Sequence, residues 1–241
     1  QPDGGPGFMN LLARSLILLA LAATTAKADV ELRETECWVR ANMVQNVDCY
    51  HVIVPLDRAN PSAGSAQLAV AVLRSSSRTP APDPIIYMEG GPGAPTFATD
   101  YPDYEDYSDF WWEHTSSFRR TRDFILFDQR GIGLSRPSLD CPELHDLDRG
   151  LPEILHYDDP LLEQETSELA ACYERLRAEG VPLEQFDTRN SADDVADIVR
   201  ALGYEQVNLY GVSYGTRLGL EVMRRHPDLV RSSVLDGVYP P

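Results

Sequence analysis

Positive charge is scarce in this chain. Only 21 Lys and Arg stand against 38 Asp and Glu, a formal net charge of −17 at pH 7. Nucleic-acid phosphates and anionic membrane surfaces would repel such a chain, so neither is expected as a partner. Long apolar runs are also missing. The best candidate, 15–23, is too short to cross a bilayer, and no stable membrane span is expected. Neither a Cys-x-x-Cys nor a His-x-x-x-His spacing occurs, which argues against a zinc site, and no cofactor is implied. Tandem repeats and a dividing linker are absent too. The 241 residues, 43% apolar, suffice for one large domain or two small ones. Oligomeric state has no signature here.

The first residue is Gln1, so translation is expected to start at Met9, with 1–8 as non-native upstream sequence. From Met9 the chain carries a basic n-region with Arg14, an apolar h-region over 15–23, and a small-x-small site ending at Ala28. That pattern predicts a signal peptide over 9–28 and a secreted or periplasmic mature chain, 29–241. An amphipathic N-terminal helix is the competing reading. Export gives the four cysteines a meaning: Cys37, Cys49, Cys141 and Cys172 are an even set for an oxidising compartment. Three pairings are possible, and sequence proximity favours Cys37–Cys49 with Cys141–Cys172.

Strand patterns alternate with helical ones. Short apolar or β-branched runs predict strands at 49–56, 67–73, 84–88, 124–127, 207–210 and 233–235. The first two form a plausible antiparallel pair around the turn Asn60–Gly64. Helical periodicity runs over 161–180 and 214–226. A third helix is expected over 191–202, opened by a capping-box-like Ser-Ala-Asp-Asp. This order predicts an α/β fold: a mostly parallel sheet with helices on both faces. The acidic and aromatic stretch 99–114 reads either as a substrate entrance for cationic or apolar groups or as a surface loop leading into a packed helix at Phe110, Trp111 and Trp112. The second reading is preferred.

Residues 207–219 hold the chemistry. Gly211-Val-Ser-Tyr-Gly215 is a Gly-x-Ser-x-Gly motif with an apolar run before it and a helical run after it. A strand turning sharply into a helix around one serine is a nucleophile elbow, with Ser213 as the candidate nucleophile. Serine hydrolysis also needs a base, a group orienting that base, and donors for the oxyanion. One donor should be the backbone N–H of Tyr214, next after the serine. The second is expected from the loop after the third of the predicted strands, Glu89-Gly90-Gly91-Pro92-Gly93, where glycines let the backbone approach a ligand.

Three segments together resemble the proline iminopeptidase and tripeptidyl aminopeptidase group of α/β-hydrolases: the Gly90–Gly93 loop, Asp128-Gln-Arg-Gly-Ile-Gly-Leu-Ser135, and Gly211–Thr216. Cys141-Pro-Glu-Leu, Asn208-Leu-Tyr-Gly and the closing 233–241 are similar to an exported branch of that group. The resemblance covers about 45–241. It implies that the second glycine, Gly91, gives an oxyanion N–H, that Gly90, Pro92, Gly93, Gly211 and Gly215 support the loops, and that the substrate is a peptide or small acyl compound. It also implies that Asp128–Ser135 is a structural turn, with neither Asp128 nor Arg130 catalytic. Glu89 departs from the pattern, standing where many members carry His.

In such enzymes the chain order is Ser, then Asp or Glu, then His. After Ser213 only His226 remains, a helix length away, and Asp228 and Asp236 come too early to be the orienting acid. His51, His114, His145 and His156 precede the serine, the wrong order. The sequence therefore reads as the N-terminal part of a catalytic domain, stopping after about the sixth strand, with the cap, the triad acid and the triad His missing. The expected function is an exported serine hydrolase, an aminopeptidase releasing residues or short peptides through an acyl-enzyme. An esterase or lipase on the same fold, or an inactive truncated hydrolase, are the alternatives.

Overall fold

The structure, a computed structural model, describes residues 30–43, 45–97, 107–144 and 159–240. The upstream and leader readings of 1–8 and 9–28 lie outside these residues, as does the first half, 99–106, of the acidic and aromatic stretch. Seven strands are described: β1 (Glu31–Thr35), β2 (Val47–Pro55), β3 (Ser65–Leu73), β4 (Ile85–Met88), β5 (Phe124–Phe127), β6 (Val207–Val212) and β7 (Val230–Asp236). The longer α-helices among the described residues are α1 (Ser108–His114), α2 (Asp159–Ala178), α3 (Thr188–Ala201) and α4 (Tyr214–Arg225). The strands form one sheet in the order β1-β2-β3-β5-β4-β6-β7. Pairing is antiparallel from β1 to β5 and parallel from β5 to β7, so five of the seven strands point the same way.

The sheet is covered on both faces. Val52, Leu68, Ile86, Ile125 and Leu209 face α3 and α4 through Val195, Ile198, Leu218 and Val222. Leu73, Tyr87, Phe124 and Leu126 face the other way, onto Trp111 and Trp112 of α1. Central strands with two covered faces have no polar side to alternate with, which is why Phe124-Ile-Leu-Phe127 is apolar throughout. In the 99–114 stretch the described part is a packed helix. Trp111 and Trp112 are buried, their ring N–H groups donating to the carbonyls of Thr96 and Arg40, while Phe110 stays exposed.

Two elements depart from the sequence expectation. β1 went unforeseen because Glu31-Leu-Arg-Glu-Thr35 has no apolar alternation. It is an exposed edge strand paired only to β2. Helix α3 starts at Thr188, not Ser191. Its cap is Asp187, whose carboxylate accepts the Asn190 N–H at 2.7 Å, and Ser191 is buried inside the helix. The disulfides follow sequence proximity: Cys37–Cys49 ties the end of β1 to β2, and Cys141–Cys172 ties the segment after the turn to α2.

The segment Asp128–Ser135 is a brace. Asp128, buried after β5, accepts the N–H groups of Thr96, Phe97 and Leu134, and burial pushes its carboxyl up to about 6. Arg130 is equally buried. It makes a two-pronged pair with Asp194 of α3 at 2.6 and 2.7 Å and donates to the carbonyls of Leu56 and Gln185. Asp194 also receives Arg58 at 2.6 Å. These charges lock α3 onto the turn.

Candidate active site

Ser213 sits between the end of β6 and the start of α4 with φ 51° and ψ −119°. It is the only non-glycine with positive φ among the described residues. Such a conformation costs of order 1–3 kcal/mol and persists only where the surroundings impose it. Here they do. The Ser213 N–H donates to the Asp236 carbonyl of β7 at 2.8 Å. The Ser213 carbonyl accepts the Thr216 N–H at 2.9 Å and its hydroxyl at 2.6 Å. The side chain is left exposed at the sheet edge.

The motif glycines answer to space. A Cβ on Gly215 would lie 1.9 Å from the Met88 carbonyl oxygen, so helix and strand β4 touch backbone to backbone. A Cβ on Gly90 would lie 3.0 Å from Ser213 Cβ and 3.5 Å from Ser213 Oγ. The Glu89–Gly93 loop and the serine are therefore neighbours. The sheet explains why: β4 and β6 are adjacent and parallel, with Met88 opposite Gly211, so their following loops open at the same edge.

The loop's polar groups are largely spoken for. Glu89 accepts the Gly90 N–H at 2.7 Å through one carboxylate oxygen and the Tyr87 hydroxyl at 3.0 Å through the other. Its carbonyl accepts Gln129 at 3.1 Å. Burial, then the Glu89 charge, push the Tyr87 hydroxyl well above the ordinary phenol range, so it stays a donor. With Gly90 N–H taken, the N–H groups of Gly91 and Gly93 meet no acceptor among the described residues. Gly91 has φ 106° and Gly93 φ 105°, and the Gly91–Pro92 peptide is cis. Tyr214, first in α4, has an N–H with no partner inside the helix. The positive end of that helix lies at the serine. The Tyr214 hydroxyl bonds Thr188 at 2.8 Å, tying α4 to the start of α3.

The histidines are placed elsewhere. His226 follows α4, about 18 Å of helix from the serine at 1.5 Å per residue, and its Nε2 is 2.8 Å from Asp193. His51 stacks on Trp38 and His114 on Phe110. His145 and His156 lie outside the described residues. Among the described residues no histidine bonds Ser213. Cys141, Glu143 and Cys172 cluster as metal-like donors, but the two sulfurs are joined to each other and offer no thiolate. Sequence reading missed the Tyr87–Glu89 pair and the Asp236 and Thr216 supports. The Tyr-x-Glu spacing on a strand end was a readable signal for the first.

Comparison with known proteins gives the family. The family model described as alpha/beta hydrolase fold matches residues 83–241. A tripeptidyl aminopeptidase of Streptomyces lividans is 31% identical over 240 residues, covering 95% of this chain and 41% of the relative. A serine protease of Mycobacterium tuberculosis is 32% identical over 124 residues, 49% of this chain and 24% of the relative. The chain thus spans less than half the length of these relatives. Among solved structures, a proline iminopeptidase-related protein of Thermus thermophilus shares 21% identity with a TM-score of 0.42, covering 78% of this chain and 44% of its own.

Proposed function

Since the chain belongs to the alpha/beta hydrolase fold family, we propose that it is the nucleophile-bearing part of an exported serine aminopeptidase that releases residues or short peptides from free N-termini. The observation that supports this most is Ser213 itself: an exposed hydroxyl on a strained strand-to-helix turn, packed against a glycine loop. In this reading Ser213 Oγ attacks the scissile carbonyl and gives its proton to a general base. The carbonyl oxygen, now negative, is held by the N–H groups of Gly91 and Tyr214. Collapse expels the amine, which takes the proton from the base. Water then hydrolyses the acyl-enzyme by the same route. The base and its orienting acid are proposed to come from the part of the relatives' length that this sequence does not match. Export is supported by the two disulfides, which persist in oxidising compartments.

A fluorophosphonate probe on the full-length protein tests the assignment. Labelling should map to Ser213, and Ser213→Ala should lower kcat by about a million-fold, as loss of the nucleophile does elsewhere. Normal turnover in the alanine variant would end the proposal.

A further inference from the structure

Glu89 is an anion in an unexpected place. Developing negative charge on a substrate carbonyl is best stabilised by donors and cations, and a fixed carboxylate nearby opposes it. Yet Glu89 lies on the very loop proposed to hold the oxyanion. Its Oε1 is 2.7 Å from Gly90 N, and the Cβ direction of Gly90 reaches to 3.5 Å from Ser213 Oγ. These separations put Glu89 Oε1 at most about 9 Å from the serine oxygen. The carboxylate is half-buried and fixed by Tyr87 and Gly90, and no cation pairs with it among the described residues. A held, uncompensated carboxylate beside a nucleophile asks for a cation that arrives with the substrate.

We propose that Glu89 is a specificity-determining residue that receives the free α-ammonium of the substrate's N-terminal residue. The inference rests on the aminopeptidase reading and narrows it to the shortest acyl groups. In an aminoacyl group the ammonium is roughly 4–5 Å from the attacking oxygen, and each further residue moves it out by about 3.5 Å. The ammonium of a one- or two-residue acyl group therefore falls within the roughly 9 Å that bounds Glu89 Oε1, and that of a three-residue group, about 12 Å out, lies beyond it. A bound ammonium also neutralises the carboxylate, so the oxyanion forms without opposition only when the cation is present. An N-acylated substrate lacks that cation and meets the carboxylate uncompensated.

The test uses the full-length protein with p-nitroanilides of alanine, dialanine, trialanine and N-acetylalanine. The wild type should prefer the free-amine alanine substrate over its acetylated form. Glu89→Gln, which keeps the side chain's shape, should lower kcat/KM about ten- to a hundred-fold for the alanine substrate, the range of a lost charge-assisted bond. The penalty should fall away by trialanine and vanish for the acetylated substrate. A wild type indifferent to acetylation overturns the aminopeptidase reading, and the proposal with it. An equal loss across all four substrates, the mark of a mere loop brace or of a countercharge to an imidazolium, overturns the proposal alone. Absence of turnover abolished by Ser213→Ala on every substrate overturns the aminopeptidase reading itself, and this inference with it.

Discussion

Replacing Gly215 with alanine tests the elbow more directly than any change at the serine. The new methyl would lie 1.9 Å from the Met88 carbonyl oxygen, 2.7 Å from its carbon and 3.0 Å from the Glu89 oxygen. That is about 1 Å closer than real Cβ contacts come. Neither side can yield cheaply. Met88 ends β4, which is hydrogen-bonded between β5 and β6. The start of α4 is pinned by Ser213 and Thr216. Overpacking against side chains costs about 1–3 kcal/mol, and backbone against backbone belongs at or above the top of that range. About 3 kcal/mol corresponds to a loss of roughly 6–12 °C in Tm for a domain of this size. Circular-dichroism melts of the full-length protein would read it. Gly180→Ala is the control: its φ is 79° but nothing lies within 4 Å of the added methyl, so only about 1–2 kcal/mol of backbone strain applies. Any folded Gly215→Ala protein should also lose fluorophosphonate labelling, since a displacement near 1 Å of a catalytic group costs about a hundred-fold. A Gly215→Ala protein that melts within about 2 °C of wild type, or costs less than Gly180→Ala, would refute the close strand-helix contact.

Two further outcomes follow from the buried charges. Asp194→Asn should destabilise by about 3–5 kcal/mol in chemical denaturation, because it strands the buried Arg130 guanidinium without its partner. A loss under about 1 kcal/mol would show that the pair does not hold α3 in place. Asp128 has a folded-state value near 6 against 3.8 ordinarily, so the folded protein binds the extra proton between those values. Its contribution is fully present below about pH 4 and is lost as pH rises through 6, roughly 3 kcal/mol in all. Asp128→Asn lacks this titration, so its stability relative to wild type should improve by about that amount from pH 4 to pH 7. A pH-independent difference would contradict the buried carboxyl.

Much of the fold was legible because its signals are local. Phe124–Phe127 is a strand buried on both faces, and an unbroken apolar run is its signature. Gly180, with φ 79°, stops α2 where the sequence marks it. Where the sequence misled, the deciding partner was remote or the signal ambiguous. β1 has no apolar face to betray it and exists through its pairing with β2. At α3 the cap is Asp187, four residues before the expected start at Ser191, and the buried Arg130–Asp194 pair requires Asp194 inside the helix, not at its edge.

By itself, the sequence determined the α/β fold, the elbow at Ser213, the glycine loop that accompanies it, and cysteines whose spacing makes local pairing easy. These are carried by short motifs, in which each residue answers a steric or torsional demand of its own neighbours. Only the tertiary structure decided which groups face the serine. Gly90 and Gly215 owe their glycines to atoms more than a hundred residues away in sequence. The Glu89–Gly93 loop comes beside Ser213 because β4 and β6 are adjacent and parallel, and His226 is kept from it by the length of a helix. Proximity across a sheet is set by strand order and register, and no local pattern of residues encodes either one alone.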